Sequence, residues 1–112
     1  MKDNHINYIE FKTKDIQKTK DFYSRVFHWS FTDYGPNYIS FSESGIAGGF
    51  EHTGSEITNG VLVVLYHKNL ENLKKTIIEN GGLISRDIFT FPGGKRFHFF
   101  DPSGNELAVW SK

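Results

Sequence analysis

The sequence predicts an α+β protein made of two half-modules. Each half is a strand, a helix and then three strands, and together they form a curved mixed sheet around a cleft. Three observations predict this. Apolar residues change twice from alternate spacing to helical spacing and back. Both helical stretches open on a residue suited to cap them, Asp15 and Asn69. Both are followed by short β-rich runs set off by turn signals. The halves are expected at about residues 1–53 and 54–112, within one domain of 112 residues.

Residues 6–11 alternate and predict the first strand. Ile16, Thr19, Phe22, Tyr23, Val26 and Phe27 recur at helical spacing behind the Asp15 cap. Residues 29–31 begin a second strand, and Tyr34-Gly-Pro-Asn37 is a turn signal. Residues 38–41 and 46–51 predict two short strands around Gly45, with Gly48-Gly49 taken as hairpin glycines. After Thr53-Gly-Ser55 the pattern returns. Residues 61–66 are a β-branched strand; Asn69 caps a helix carrying Leu70, Leu73, Ile77 and Ile78; Asn80-Gly81-Gly82 closes that helix. Residues 83–89, 95–100 and 106–110 supply three further strands. Pro92-Gly-Gly94 makes a hairpin, and Asp101-Pro-Ser-Gly-Asn105 the last turn.

Composition narrows the classes of function. Aromatic residues make up 16% of the chain and eleven are Phe, which fits a tight core, an apolar ligand cavity or a subunit interface. Thirteen basic and thirteen acidic residues cancel, with no patch basic enough for nucleic acid. Cysteine is absent, excluding disulfides, thiolate metal sites and a Cys nucleophile. The N-terminal residues lack a signal-type apolar stretch, and no apolar run is long enough for a membrane span. A cytoplasmic protein is expected.

The Asp15-x5-Asp-Phe-Tyr23 helix start, Val26-Phe27-His28-Trp29 and the Asp101-Pro-Ser-Gly-Asn105 turn occur in an order that resembles the vicinal-oxygen-chelate superfamily. That superfamily holds glyoxalases, bleomycin-resistance proteins and extradiol dioxygenases. The chain looks most like its short glyoxalase-related members. Relatives usually carry Gly where this chain has His28. Each half leaves one sheet face for the other half to meet, which predicts a ligand cleft between them, and a second chain can satisfy the same face, so a homodimer is expected. The resemblance implies metal-ligand positions on the first and last strands of each half. Here those positions fall on Tyr8, on Gly49 or Glu51, on Leu62 and on Ala108. Leu and Ala lack donor atoms and a neutral Tyr is a poor ligand, so Glu51 is the one weak metal candidate. No cofactor is expected, and a divalent metal is not expected. His5, His28, His52, His67 and His98 show no close metal-binding spacing.

Strand alternation places Tyr8, Glu10 and Lys12 on one face, and Tyr66, Glu106 and Trp110 on the corresponding face of the second half. Arg96 and His98 share a face opposite Phe97 and Phe99, and the Phe pair is the better core candidate. Glu10 as base and His98 as acid are the candidate catalytic pair. Tyr8, Lys12, Tyr66, Arg96, Glu106 and Trp110 are candidate ligand contacts, with Arg96 or Lys12 suited to a carboxylate or phosphate. Structural roles compete with each: a cross-strand Glu–Lys pair commonly serves as a solvated ion pair, and a strand His as a hydrogen-bonded support. Three functions remain. One is a small-molecule binding protein. The second is a metal-independent lyase or isomerase using Glu10, His98 or Tyr8. The third is a metal-dependent lactoylglutathione-lyase-like enzyme with a displaced site built on Glu51 and a histidine.

Overall fold

Asp15 caps the first helix as its side chain predicts. It sits in extended backbone (φ −151°), and its carboxylate accepts the Lys18 amide at 2.9 Å. Asn69 does the same for the second helix through the Asn72 amide at 3.1 Å. The two helices end differently. The second closes on Asn80 with Gly81 at φ 95°, and the Gly82 and Gly81 amides return to the Ile77 and Ile78 carbonyls at 2.9 and 3.2 Å. The first ends on His28 at φ 61°, a left-handed backbone taken by a residue with a Cβ.

A computed structural model describes residues 1–112. The elements run β1 (Tyr8–Thr13), α1 (Ile16–Phe27), β2 (Ser30–Asp33), β3 (Tyr38–Ser42) and β4 (Ala47–His52). Then come β5 (Val63–Tyr66), α2 (Leu70–Glu79), β6 (Leu83–Phe91), β7 (Gly94–Phe100) and β8 (Glu106–Ser111). The chain thus repeats strand, helix and three strands in two compact units, Met1–Glu56 and Ile57–Lys112. Each unit is a four-stranded mixed sheet, in the orders β1-β4-β3-β2 and β5-β8-β7-β6. In both, the first strand pairs in parallel with the last, and the remaining pairs are antiparallel. Val61 and Leu62 precede β5 instead of opening it, and β2 starts one residue after Trp29. Neither helix is long and apolar enough to cross a membrane.

In each unit one sheet face packs on the helix, because only that face carries the apolar half of the alternation. The first core is aromatic. Tyr23 stacks at 4.8 Å on Trp29, which lies 4.6 Å from Phe41, and Phe50 is 5.0 Å from Tyr23 and 5.2 Å from Phe11. Much of the Phe content belongs to this core. Thr13 and Thr19 are fully buried beside it, and their hydroxyls bond at 2.6 Å, tying β1 to α1 without an unsatisfied polar atom. The second core is built from Leu70, Leu73, Ile77, Phe97, Phe99, Leu107 and Val109. The turn entering β8 is organised by buried Asp101. One carboxylate oxygen accepts the Ser103, Gly104 and Asn105 amides at 2.9–3.0 Å, and the other accepts the Asn105 side chain at 3.1 Å.

Candidate functional site

The sheet faces turned away from the helices carry the polar and aromatic residues singled out by alternation. On the first sheet, Glu10, Gly49, Ser40 and Thr32 lie opposite one another across the four strands, and Lys12, Glu51 and Tyr38 form the neighbouring row. Tyr8 precedes Glu10 on the same face. These groups satisfy each other. The Tyr38 hydroxyl meets the Tyr8 hydroxyl and donates to Glu10 at 3.0 Å; Lys12 donates to Glu51 and has Glu10 at 3.8 Å. The Tyr38 phenol is pushed well above its usual range, first by burial, then by its bonds to Tyr8 and Glu10. It stays protonated, and therefore a donor, at neutral pH. The Lys12 ammonium is also raised, chiefly by the Glu51 hydrogen bond.

This closed network depends on Gly49. Tyr38 belongs to β3, whereas Tyr8 and Glu10 belong to β1, on the far side of β4. The ring reaches them by lying over Gly49: a Cβ there would sit 2.4 Å from the Tyr38 hydroxyl and 2.7 Å from the Ile39 carbonyl oxygen. Gly48 does the same on the helix-facing side, where a Cβ would meet Phe41 at 2.3 Å. The adjacent glycines are not hairpin residues, as their sequence context predicts. They lie inside β4, the strand that separates two aromatic side chains from their partners.

On the second sheet, one row reads Tyr66, Trp110, Arg96 and Phe89 across all four strands. The next reads Val64, Ala108, His98 and Arg86. Tyr66 and Trp110 meet edge to face at 5.2 Å, and Phe91 lies 6.5 Å from Trp110. The Arg86 guanidinium stacks 3.6 Å from the Phe89 centroid, and Arg96 lies 5.3 Å from Phe89 and 5.5 Å from Phe91. His98 stands 3.8 Å from Glu106, whose carboxylate also accepts from Ser85 at 2.7 Å. Burial lowers the His98 pKa, Arg96 and Arg86 lower it further, and Glu106 opposes them. The imidazole is neutral at pH 7. Two buried polar atoms, Arg96 Nε and His98 Nε2, have no hydrogen-bond partner.

Each residue singled out in the sequence therefore has a place. Tyr8, Glu10, Lys12 and Glu51 gather on the first unit, and Tyr66, Arg96, His98, Glu106 and Trp110 on the second. The candidate pair Glu10 and His98 divides between the two units. Sequence reasoning misses Tyr38, Arg86, Phe89 and Phe91. Tyr38 carried a signal, since it alternates with Ser40 in a predicted strand. Arg86 and Phe89 did not, because register shifts in β6 on both sides of Arg86 break the period of two. No group of three or more His, Asp or Glu side chains is arranged to hold a metal ion.

The paired βαβββ units, each exposing a sheet face lined with polar and aromatic side chains, define a class of two-module α+β proteins. The model of the Glyoxalase/Bleomycin resistance protein/Dioxygenase superfamily matches residues 5–109, and the chain belongs to that family. Among solved structures it is similar to a glyoxalase-related enzyme from Fulvimarina pelagi, at 20% identity and a TM-score of 0.78, over 97% of this chain and 88% of that one. A glyoxalase/bleomycin resistance protein/dioxygenase family enzyme from Burkholderia phytofirmans gives 16% and 0.82, over 94% and 96% of the two chains. The fosfomycin resistance protein FosX of Listeria monocytogenes gives 13% and 0.82, over 97% and 93%. At these identities the likeness is one of fold. No curated protein sequence matches the chain.

Proposed function

We propose that this chain is a small-molecule binding protein of the family, holding its ligand on the open face of the second sheet without a divalent metal. The observation that carries the reading is the unmet hydrogen-bonding capacity of Arg96, in the row of Tyr66, Trp110 and Phe89, and of His98 in the adjoining row. Buried polar atoms without partners are costly, and a bound molecule that meets them recovers that cost. Aromatic walls with a few directed polar groups suit a small ligand. The donor chemistry supports a metal-free site. Tyr8, Leu62 and Ala108 do not make a ligand set for a divalent ion, and Glu51 is committed to Lys12. Fosfomycin resistance in a protein of the same fold makes a resistance or sequestration role a natural form of this binding.

Metal-independent lyase or isomerase chemistry is a second reading, supported by the chain of hydrogen bonds from Tyr8 through Tyr38 to Glu10. A cytoplasmic homodimer completes the proposal. The exposure of Tyr8, Val64 and Tyr66, at 45, 43 and 53%, supports self-association. The deciding experiment is a small-molecule screen by thermal shift, run with and without added Zn, Ni, Mn or Fe(II). Ligands that raise Tm without metal and perturb Trp110 support the binding reading. Ligand binding that needs stoichiometric metal overturns it.

A further inference from the structure

The second sheet places two guanidinium groups on one open face, and neither has a carboxylate partner within ion-pair distance. Arg86 and Arg96 flank the same ring, Phe89, at 3.6 and 5.3 Å. Stacking occupies the flat face of a guanidinium and leaves its N–H groups directed outward in the plane. Two like charges held this close repel, and the nearby His98, whose pKa burial lowers first, is lowered further by both. Glu106, the carboxylate closest to His98, is already bound by Ser85. The face thus has an excess of positive charge and of unused donors.

Next to that charge the sheet face is aromatic. Trp110 lies directly across from Arg96, with Tyr66 beyond it and Phe91 at its side. A ligand complementary to this face carries a negative, planar acceptor group joined to an aromatic ring. We propose, building on the binding function above, that the site takes a planar aromatic carboxylate. Its carboxylate lies against the outward N–H groups of Arg86 and Arg96, its ring rests on the Trp110–Phe91 wall, and His98 Nε2 supplies a further hydrogen bond. The carboxylate is preferred to a bare inorganic anion because the apolar half of the face is otherwise unused.

The test is a titration of the whole protein with 2-naphthoate, the neutral 2-naphthalenemethanol and acetate, followed by calorimetry and Trp fluorescence. Naphthoate is expected to bind about tenfold or more tightly than the alcohol, and acetate more weakly still. Arg96→Gln is expected to lose about tenfold in naphthoate affinity while leaving the alcohol unchanged. Arg86→Gln, at an exposed position, repeats the test should Arg96→Gln fail to fold. Equal affinity for acid and alcohol, or unchanged naphthoate affinity in both variants, overturns the carboxylate assignment and leaves the small-molecule reading standing. Acetate binding as tightly as naphthoate also overturns it. No binding by any of the three likewise overturns the carboxylate assignment, and the thermal-shift screen then decides the wider binding reading.

Discussion

Lys12, Glu51 and Tyr38 cross the first sheet at the place where Tyr66, Trp110 and Arg96 cross the second. One row further in, Glu10, Gly49 and Ser40 correspond to Val64, Ala108 and His98. The correspondence is set by the helix caps, Asp15 and Asn69, and by identical strand orders. The outcome at the two faces is opposite. On the first sheet, charges pair and hydroxyls bond, so the polar groups answer one another. On the second, cations lie against rings, and two buried nitrogens bond nothing. A self-satisfied face is stable but has little to offer a ligand, whereas the unsatisfied one is where binding energy can be gained.

The strongest way to break this contrast is Gly49→Ala. Its Cβ would displace Tyr38 and press on the Ile39 backbone, so a loss of about 3 kcal/mol is expected in urea unfolding. Ala108→Gly at the corresponding position is expected to cost about 1 kcal/mol or less. Equal effects at the two positions would mean that Tyr38 does not depend on Gly49. Tyr38→Phe removes the hydroxyl between Tyr8 and Glu10 and is expected to cost about 1 kcal/mol by the same measurement. A change near zero would show that the network is decorative.

The helix ends offer a smaller comparison. His28→Gly gives the first helix the kind of left-handed glycine that the second has in Gly81, and is expected to stabilise the protein by roughly 1 kcal/mol. Destabilisation would instead reveal a role for the imidazole. The smallest effect concerns acid. The folded His98 pKa lies below its usual 6.5, so below that pH the unfolded chain binds the extra proton more readily. The stability this represents is fully present above about 6.5 and is lost as pH falls through the folded value. His98→Gln is expected to flatten this part of a Tm-against-pH curve. An unchanged slope would place the titrating group elsewhere.

Much of the fold was legible because it depends on local signals. Asp15 and Asn69 cap helices by bonding amides three residues away, and Asn80-Gly81-Gly82 ends one by the same local logic. Phe97 and Phe99 are fully buried on the face opposite Arg96 and His98, as alternation in β7 requires. The open faces were legible only in part. Which side a residue faces follows from alternation, but which residues it meets follows from register. Gly48 and Gly49 have a turn-like composition, and their role appears only when β3 and β1 are set on either side of β4. Arg86 and Phe89 escaped notice because the irregular register of β6 resets the alternation between them.

In each sheet the last strand of the unit is an interior strand, flanked on both sides. β4 separates β1 from β3, and β8 separates β5 from β7. During synthesis, therefore, each sheet is completed only when its interior closing strand emerges. β5 has no partner until residues 106–111 have left the ribosome, and β7 has only β6. The first unit escapes this delay sooner, because its own closing strand, Ala47–His52, is made before β5 begins. Folding of the nascent chain should thus proceed in two steps, the half with the saturated face first and the half with the unpartnered nitrogens last.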